Sequence, residues 1–342
     1  GDVLTTPASS SSCDADASCS SSSSSSPPQF LGAVISIIGS VNVDITIKVA
    51  RPPRLHETVM ATDPSVSISV GGKGANQAVA AARLAAGTRP VRFVTQFGGD
   101  AHAPMLESVL IANAVDVSLS GRVPHLPSGQ GIVLLSPDGA ASSIVVGGAN
   151  TGWPTNAKAL EALMATAVQG AAVLMLQREV PERVNIAAAA AAAVARVPVV
   201  LDAGGQDAPI SPSLLAAVDY LCPNESELSR LTGGMPTGTD DEVVAAANTL
   251  RAQGARRVLV TLGERGAVLV SGGDGGDAPE GTVTWHPPVE VPGGKVVDAT
   301  AAGDAFRAAL AVSIAEGPGG GQLSKHSLRL AAAAGAAASA NK

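Results

Sequence analysis

Aromatic residues are scarce in this sequence: they make up 2% of its 342 residues, with two tryptophans, one tyrosine and four phenylalanines. The interior must therefore be filled by small and branched side chains, because hydrophobic residues still account for 46% of the chain. That share is ample for a core at this length. The composition indicates a globular protein with one large α/β domain or two ordinary ones.

Three further scarcities exclude classes of protein. Two of the three cysteines, Cys13 and Cys19, lie in a polar leader, so a disulfide framework is not expected and a reducing compartment is. The sequence has 22 basic and 29 acidic residues, and the resulting net charge of −7 disfavours nucleic acid as a partner. The longest apolar stretch, residues 186–201, is interrupted by Arg196 and Pro198 and is shorter than the roughly 20 residues that span a bilayer. No membrane association is expected.

The first 31 residues contain little that could form a core. They consist mainly of Ser, Asp, Ala, Pro and Thr, with an uninterrupted serine run at residues 20–26. Such a segment cannot bury enough apolar surface to offset the entropy of ordering. We therefore predict a disordered tail over residues 1–31 and a single folded domain over residues 32–342.

In that domain, short apolar runs alternate with segments rich in Ala and Leu. The predicted strands are residues 33–38, 91–97, 172–176, 197–201, 218–222, 258–262 and 267–270. The predicted helices are residues 76–86, 105–113, 157–168, 182–195, 240–253, 303–315 and 323–338. This alternation predicts a mostly parallel sheet covered by helices on both faces, which is a three-layer α/β/α sandwich.

Two stretches depart from that alternation. Residues 58–70 and 131–146 alternate apolar and polar positions and have no helices between strands. They are interpreted as half-exposed antiparallel strands. We predict a small β-lid over one end of the sheet, with strands drawn from about residues 41–70 and 128–147.

Polar residues follow the first predicted strand, and ligands of open α/β sheets gather at the carboxyl ends of strands. Asn42 and Asp44 point the same way if their segment is extended. An amide beside a carboxylate can bind vicinal hydroxyl groups. A loop that only caps a turn or a helix is the alternative.

A glycine-rich segment, Gly-Gly-Lys-Gly-Ala-Asn-Gln at residues 71–77, leads into an Ala-rich helix. Its three glycines allow backbone to approach a ligand closely, and Asn76 lies where the helix begins. No Ser or Thr follows Lys73, so the segment is not a Walker A loop, and it lacks the spacing of a dinucleotide fingerprint. An ordinary turn before a helix is the alternative.

Two acidic segments follow later strands. Glu179 comes after residues 172–176 and could accept a sugar hydroxyl or support the water shell of a metal, although a solvated surface residue would also fit. Asn224 and Glu227 come after residues 218–222, at the start of a helix. Acidic residues there stabilise the helix dipole even without a functional role.

The segment Asp-Ala-Thr-Ala-Ala-Gly-Asp-Ala-Phe at residues 298–306 opens another predicted helix. Small residues before a helix leave the N–H groups of its first turn uncovered, and these groups attract an anion such as a transferring phosphoryl group. Asp304 would stand beside that anion and could take a proton from an attacking hydroxyl. An Asp that merely favours a helix N-terminus is the alternative.

Together, the order and spacing of these segments resemble the ribokinase (PfkB) family of carbohydrate kinases over residues 35–342. The segments at 71–77 and 298–306 carry most of the resemblance, and their form favours ribose over fructose, adenosine or ketodeoxygluconate. Residues 201–207, Leu-Asp-Ala-Gly-Gly-Gln-Asp, resemble the plant-type branch. The resemblance implies a Rossmann-like sandwich with a β-lid, ATP-dependent phosphorylation of D-ribose at O5, and a homodimer formed through the lid. A kinase for another sugar or nucleoside and a catalytically weak sugar-binding relative are the alternatives.

The resemblance also implies roles for individual residues. The implied sugar contacts are Asn42, Asp44, Gly72, Lys73, Gly74, Asn76, Glu179 and Asp304. Asp304 is implied as the catalytic base, and the implied anion hole consists of Ala301, Ala302 and Gly303. The implied nucleotide site consists of Asn224, Glu227, Thr261, Leu262, Gly263, Glu264, Arg265, Gly266 and Gly303. Glu227 is implied to support Mg²⁺ through water, and Asp298 and Thr300 to bind an activating K⁺.

The sequence departs from the family pattern at three places. Arg307 and Ala308 stand where the family usually has Asn-Gly, and Arg307 either alters the nucleotide contacts or points outward. Ala332 replaces an Asn that touches adenine. Relatives continue past Lys342 with a loop that supplies further K⁺ ligands, so K⁺ activation and ATP affinity are the properties expected to differ. The expected location is the cytoplasm, with the plastid stroma as the alternative.

Overall fold

The computed structural model describes residues 34–137, 141–272, 282–294, 301–317 and 323–340. Its strands are β1 (Val34–Ile38), β2 (Asn42–Lys48), β3 (Ser67–Gly71), β4 (Val91–Val94), β5 (Gln96–Gly98), β6 (Val115–Asp116), β7 (Gly121–Val123), β8 (Gly129–Leu135), β9 (Ala141–Val146), β10 (Ala171–Arg178), β11 (Val199–Gly205), β12 (Tyr220–Cys222), β13 (Arg257–Thr261), β14 (Ala267–Ser271) and β15 (Thr282–His286). Its α-helices are α1 (Lys73–Ala85), α2 (Ala103–Ala112), α3 (Ala157–Val168), α4 (Glu182–Ala195), α5 (Pro212–Ala217), α6 (Glu225–Leu231), α7 (Asp240–Ala252), α8 (Ala302–Glu316) and α9 (Lys325–Ala340).

The large sheet has nine strands in the order β15-β14-β13-β12-β11-β10-β1-β4-β6. All pairs from β6 to β13 are parallel, whereas β13, β14 and β15 pair antiparallel at one edge. Side chains alternate between the two faces, as the period of a strand requires. In β10, Leu174 and Leu176 enter one core and Val173 and Met175 enter the other.

Helices cover both faces of this sheet. One core is closed by apolar side chains of α3, α4, α5, α6 and α7, and the other by those of α1, α2, α8 and α9. Many of the contributing helix residues are alanines, which lets the helices pack close to the Val- and Ile-rich strands. The predicted three-layer α/β/α sandwich with a mostly parallel sheet is thereby confirmed.

A second sheet of four strands, which we call the lid, has the order β3-β2-β8-β9. The outer pairs β2–β3 and β8–β9 are antiparallel as predicted, but the central pair β2–β8 is parallel, so the prediction of antiparallel strands is wrong for this pair. Residues 58–66 also do not form the predicted strand and contribute a single bridge between Ala61 and Val49. Pro64 in this segment lacks an N–H group for a ladder.

The predicted disordered tail over residues 1–31 lies outside the described residues, so it stays a prediction. Among the helices that the structure does describe, none is long and apolar enough to cross a membrane.

Candidate active site

The lid supplies an amide and a carboxylate from the start of β2. Asn42 and Asp44 lie on the same face of the strand, as their spacing predicts. Asn42 is buried, and its Oδ1 accepts a hydrogen bond of 2.7 Å from Nδ2 of Asn150. The Asp44 carboxylate lies over Gly71 of β3 and Gly131 of β8, where a Cβ on either glycine would collide with it. Burial raises the pKa of Asp44 to about 6, and the charge of Glu179 adds to the shift.

The glycine-rich segment forms the junction between β3 and α1. Gly72 has φ of 89°, which favours glycine, and it precedes the first helical residue, Lys73. The backbone N–H of Lys73 donates to Oε2 of Glu179 at 3.0 Å, and the Ser40 hydroxyl donates to the same oxygen at 2.5 Å. Glu179 is therefore held by two loops of the site. Asn76 lies three residues after Lys73 in α1 and is close to α8.

Asp304 lies in the first turn of α8 and is 6% exposed. Both of its oxygens accept hydrogen bonds from α1: Nδ2 of Asn76 donates to Oδ2 and Nε2 of Gln77 donates to Oδ1, each at 3.0 Å. Burial raises the pKa of Asp304, and the positive charge of Lys73 is the strongest opposing influence. The carboxylate is thus fixed in place by two amides and kept close to a lysine.

Lys73 also faces a second carboxylate. Its Nζ lies 3.6 Å from Oδ2 of Asp202, whose side chain is buried. The neighbouring Asp202 raises the pKa of Lys73 above its ordinary value. The ammonium group is therefore a fixed positive charge between Asp202 and Asp304.

The N-terminus of α8 borders a large cleft. Ala301 has φ of 64° and caps the helix in the left-handed conformation, so the chain turns sharply into Ala302 and Gly303. First-turn N–H groups of a helix have no intrahelical partners and attract anions. The cleft has a volume of 590 Å³, and residues that line it include Thr261, Gly263, Glu264, Gly266, Val289, Ala302, Gly303, Phe306, Ala332 and Gly335.

Two residues of the segment predicted to line the nucleotide site, Leu262 and Arg265, are not among the residues that line the cleft. Leu262 is buried in a hydrophobic core. Arg265 forms ion pairs with Glu225 at 2.5 Å and with Asp240 at 3.2 Å. These two side chains support the loop, whereas Thr261, Gly263, Glu264 and Gly266 line the cleft itself.

Asn224 and Glu227 form a capping box at the start of α6. The Asn224 side chain accepts from the N–H of Glu227, and Oε2 of Glu227 accepts from the N–H of Asn224, both at 2.8 Å. Glu227 is nevertheless buried and faces the site, since its Oε2 lies 3.7 Å from Nη2 of Arg307. The capping role of the pair is confirmed, and its role in nucleotide binding stays a prediction.

Asp298 and Thr300, the implied K⁺ ligands, lie outside the described residues. Four residues without a role predicted from the sequence also contact the residues of the site: Gln77, Asn150, Asp202 and Arg307. Arg307 points inward rather than outward. Its spacing of three residues from Asp304 on one helix could have signalled this, because such residues share a helix face.

A buried carboxylate at a helix N-terminus, a cleft beside that N-terminus and a cluster of polar side chains from the lid and α1 define a small-molecule phosphotransferase of the α/β sandwich class. The chain belongs to the pfkB family of carbohydrate kinases, whose sequence profile matches residues 33–342.

Individual relatives agree with this assignment. A ribokinase from Arabidopsis thaliana is 39% identical over 304 residues, which are 87% of this chain and 74% of the relative. A ribokinase from Bacillus subtilis is 34% identical over 83% of this chain and 86% of its own length. The solved structure of Arabidopsis thaliana ribokinase complexed with ribose and ATP superimposes with a TM-score of 0.77 at 37% identity, over 91% of this chain and 94% of that one.

Proposed function

We propose that this protein transfers the γ-phosphoryl group of ATP to O5 of D-ribose, producing D-ribose 5-phosphate and ADP. The observation that carries the proposal is the position of Asp304: it follows Ala302 and Gly303 of the cleft at the N-terminus of α8, and it accepts a hydrogen bond from Asn76 of the glycine-rich segment. The likeness to a ribokinase that was solved with ribose and ATP supports the same substrates.

The polar side chains contributed by the lid, α1 and the loop after β10 are suited to a sugar. Asn42 and Asp44 from β2, Lys73 and Asn76 from α1, and Glu179 after β10 supply acceptors and donors from three directions. Sugar hydroxyls both donate and accept, so a mixture of carboxylates, amides and an ammonium group can satisfy each one. A pocket that bonds each hydroxyl rejects analogues that lack one.

Asp304 acts as the base in this proposal. It accepts the proton of the O5 hydroxyl while that oxygen attacks the γ-phosphorus, and ADP leaves with the electron pair of the broken P–O bond. Such a reaction depends mainly on positioning and charge stabilisation. The amides of Asn76 and Gln77 orient the carboxylate, and the N–H groups of Ala302 and Gly303 at the start of α8 face the transferring group.

Mg²⁺ would be held chiefly by the ATP phosphates. Among the described residues, no three His, Cys, Asp or Glu side chains converge to form a metal site. Mg²⁺ at nucleotides usually keeps several waters and one or two carboxylates, and Glu227 fits that limited role because its Oε1 lies over Gly204 at the edge of the site. When bound, Mg²⁺ would neutralise charge on the phosphates. K⁺ activation through Asp298 and Thr300 stays a prediction.

The direct test measures ADP release from ATP and Mg²⁺ with D-ribose beside deoxyribose, fructose and a nucleoside, with and without K⁺. The proposal requires that ribose give the highest kcat/KM of the panel. A higher kcat/KM for another substrate would show that the protein is a kinase of the same family with a different substrate specificity. Measurable ribose binding without turnover of any substrate would indicate a sugar-binding relative that has lost catalysis.

The pH dependence of ribose binding follows from Asp44. Because burial raises the pKa of Asp44 to about 6, the carboxylate is ionised above that pH and becomes protonated as the pH falls through it. A protonated Asp44 accepts hydroxyl hydrogen bonds less well, so we expect ribose affinity to fall by up to about tenfold per pH unit below about pH 6. Calorimetric titration without ATP from about pH 5 to about pH 8 measures it.

Asp44→Asn is the matched control for that titration. It should bind ribose more weakly at about pH 8 and should lose most of the pH dependence. Wild-type affinity that stays constant across this range would contradict the assignment of Asp44 as an ionised sugar ligand.

Two copies of the chain are proposed to pair through the lid. The edge strand β9 exposes Ile144 by 61% and Val145 by 53%, and Ile68 of β3 at the opposite edge is also exposed. Exposed β-branched side chains on the edge strand of a sheet favour association with another chain.

We expect the wild-type protein to sediment as a dimer and Ile144→Asp to sediment as a monomer. The control is Val194→Asp, which places the same charge at a valine of α4 that is 88% exposed and far from the lid in sequence. A monomeric wild type, or a dimer that survives the Ile144 substitution, would contradict pairing through β9.

A further inference from the structure

Arg307 is a buried cation in α8, one helical turn beyond Asp304. It is 3% exposed, and its Nε and Nη2 donate to the backbone oxygen of Cys222 at 3.2 and 2.7 Å. A buried charge is costly unless it is paired and hydrogen-bonded. Burial works against the charged form, but Asp202 leads the neighbouring groups that raise the pKa of Arg307.

Two carboxylates balance this guanidinium. Oδ2 of Asp202 lies 3.4 Å from Nε, and Oε2 of Glu227 lies 3.7 Å from Nη2. Arg307 thereby links α8 to β11, to α6 and, through Cys222, to β12. The side chain also packs against its own helix, because a Cβ added at Gly303 would lie 2.5 Å from Nη1 of Arg307.

Asp202 connects Arg307 to the catalytic carboxylate through one amide. Nε2 of Gln77 donates to Oδ2 of Asp202 at 2.9 Å and to Oδ1 of Asp304 at 3.0 Å. The oxygen of the same amide accepts from Nε2 of Gln177 at 2.8 Å. Both ends of the Gln77 amide are therefore held by hydrogen bonds, and the Asp202 carboxylate helps to keep its NH₂ group beside Asp304.

The charges around Asp304 come from four elements. Lys73 of α1 and Arg307 of α8 favour its ionised form, whereas Asp202 of β11 opposes it, and Glu227 of α6 contacts Arg307. Burial raises the pKa of Asp304, so a base that works near neutral pH needs the cations to counter that effect. Loss of Arg307 would leave Lys73 facing three carboxylates.

We infer that Arg307 is a positioning residue: its ion pair with Asp202 fixes the Gln77 amide and keeps Asp304 ready to accept the proton of the substrate. This inference rests on the proposed kinase activity. An uncharged residue at this position could not neutralise Asp202, so the ion pair provides a charged support for the base.

The test is the acid limb of the pH profile of kcat/KM for ribose at saturating MgATP. Arg307→Gln removes a positive charge, so the pKa of Asp304 should rise and the limb should move up by about one pH unit. Asp202→Asn removes a negative charge, so the limb should move down. The double variant should return toward the wild-type position, and Arg307→Lys, which keeps the charge, should remain close to it.

At pH 7 we expect kcat of Arg307→Gln to fall about tenfold while the KM for ribose changes less than about threefold, since Arg307 does not line the sugar pocket. Shifts in the same direction for Arg307→Gln and Asp202→Asn, or no shift in either, would overturn the inference. If Arg307→Gln fails to fold, the double variant, which removes both members of the ion pair, decides the question: a limb at the position of Asp202→Asn alone would show that Arg307 has no influence on Asp304 and would overturn the inference. A wild type without ribose-dependent ADP release would instead refute the proposed function.

Discussion

The Asp304→Asn variant is expected to lose about 10³-fold in kcat with D-ribose and MgATP while retaining most of its ribose affinity. General bases typically contribute 10²- to 10⁴-fold, and an amide of the same shape cannot accept the proton of O5. Because Asp304 is buried beside amides of Asn76 and Gln77, the substituted side chain stays in place. One of these donors would then face an NH₂ group, so a small loss of stability is also expected.

Steady-state ADP release and calorimetric ribose titration separate the two effects. The control is Asp241→Asn, the same substitution at an exposed position near the start of α7, which should leave both quantities unchanged. A kcat within tenfold of the wild type would remove Asp304 from the role of base. Loss of ribose binding together with turnover would mean that the carboxylate supports the pocket rather than the chemistry.

The main sheet could be predicted from the sequence because its strands are buried on both faces and appear as uninterrupted apolar runs. The helices α3 and α4 were predicted with their observed bounds. The sequence predicts the start of α6 at Asn224 but not its extent, and it does not predict α5, because six or seven residues carry too little periodicity. The edge strand β15 was missed too, since its exposed positions are mostly polar or β-branched without an apolar run.

The sequence predicts which segments of the chain contribute the strands of the smaller sheet, but it does not predict how these strands pair. Alternation along a strand reports which face is buried, but it contains no information on whether the neighbouring strand runs parallel or antiparallel. The parallel pair β2–β8 sets Asn42 opposite Gly129 and Asp44 opposite Gly131. This register leaves room for the Asp44 carboxylate, and the need for glycine at residue 131 became apparent only with the pairing known.

Some residues of the site could be predicted from the sequence, whereas others could be found only from the structure. Asp304 and Asn76 lie in segments whose order along the chain already indicated a shared edge of the sheet, and they are hydrogen-bonded. Asp202 and Arg307 were not assigned because their importance arises from a contact between residues 105 positions apart, as the pair lies 3.4 Å apart in space. Long-range pairing of buried charges leaves no local pattern in a single sequence.

Gly74→Ala is expected to lower kcat/KM by about 10²-fold, although alanine is normally the better helix residue. Gly74 lies in the first turn of α1 where it crosses the loop after β1, and a Cβ there would lie 2.7 Å from both the backbone N and O of Ser40. Backbone atoms cannot rotate away, so either the loop or the helix must shift. Misplacement by about 1 Å can cost about 10²-fold in rate.

Both possible shifts damage the same site. Displacement of the loop moves Ser40 away from Glu179, and displacement of α1 moves Asn76 away from Asp304. We expect the free energy of unfolding to fall by about 1–3 kcal/mol as well. Gly238→Ala is the control, because an added Cβ there meets only the Glu242 side chain at 3.5 Å. If Gly74→Ala kept kcat/KM within about threefold of wild type, the contact between α1 and the loop could not be what aligns sugar pocket and base.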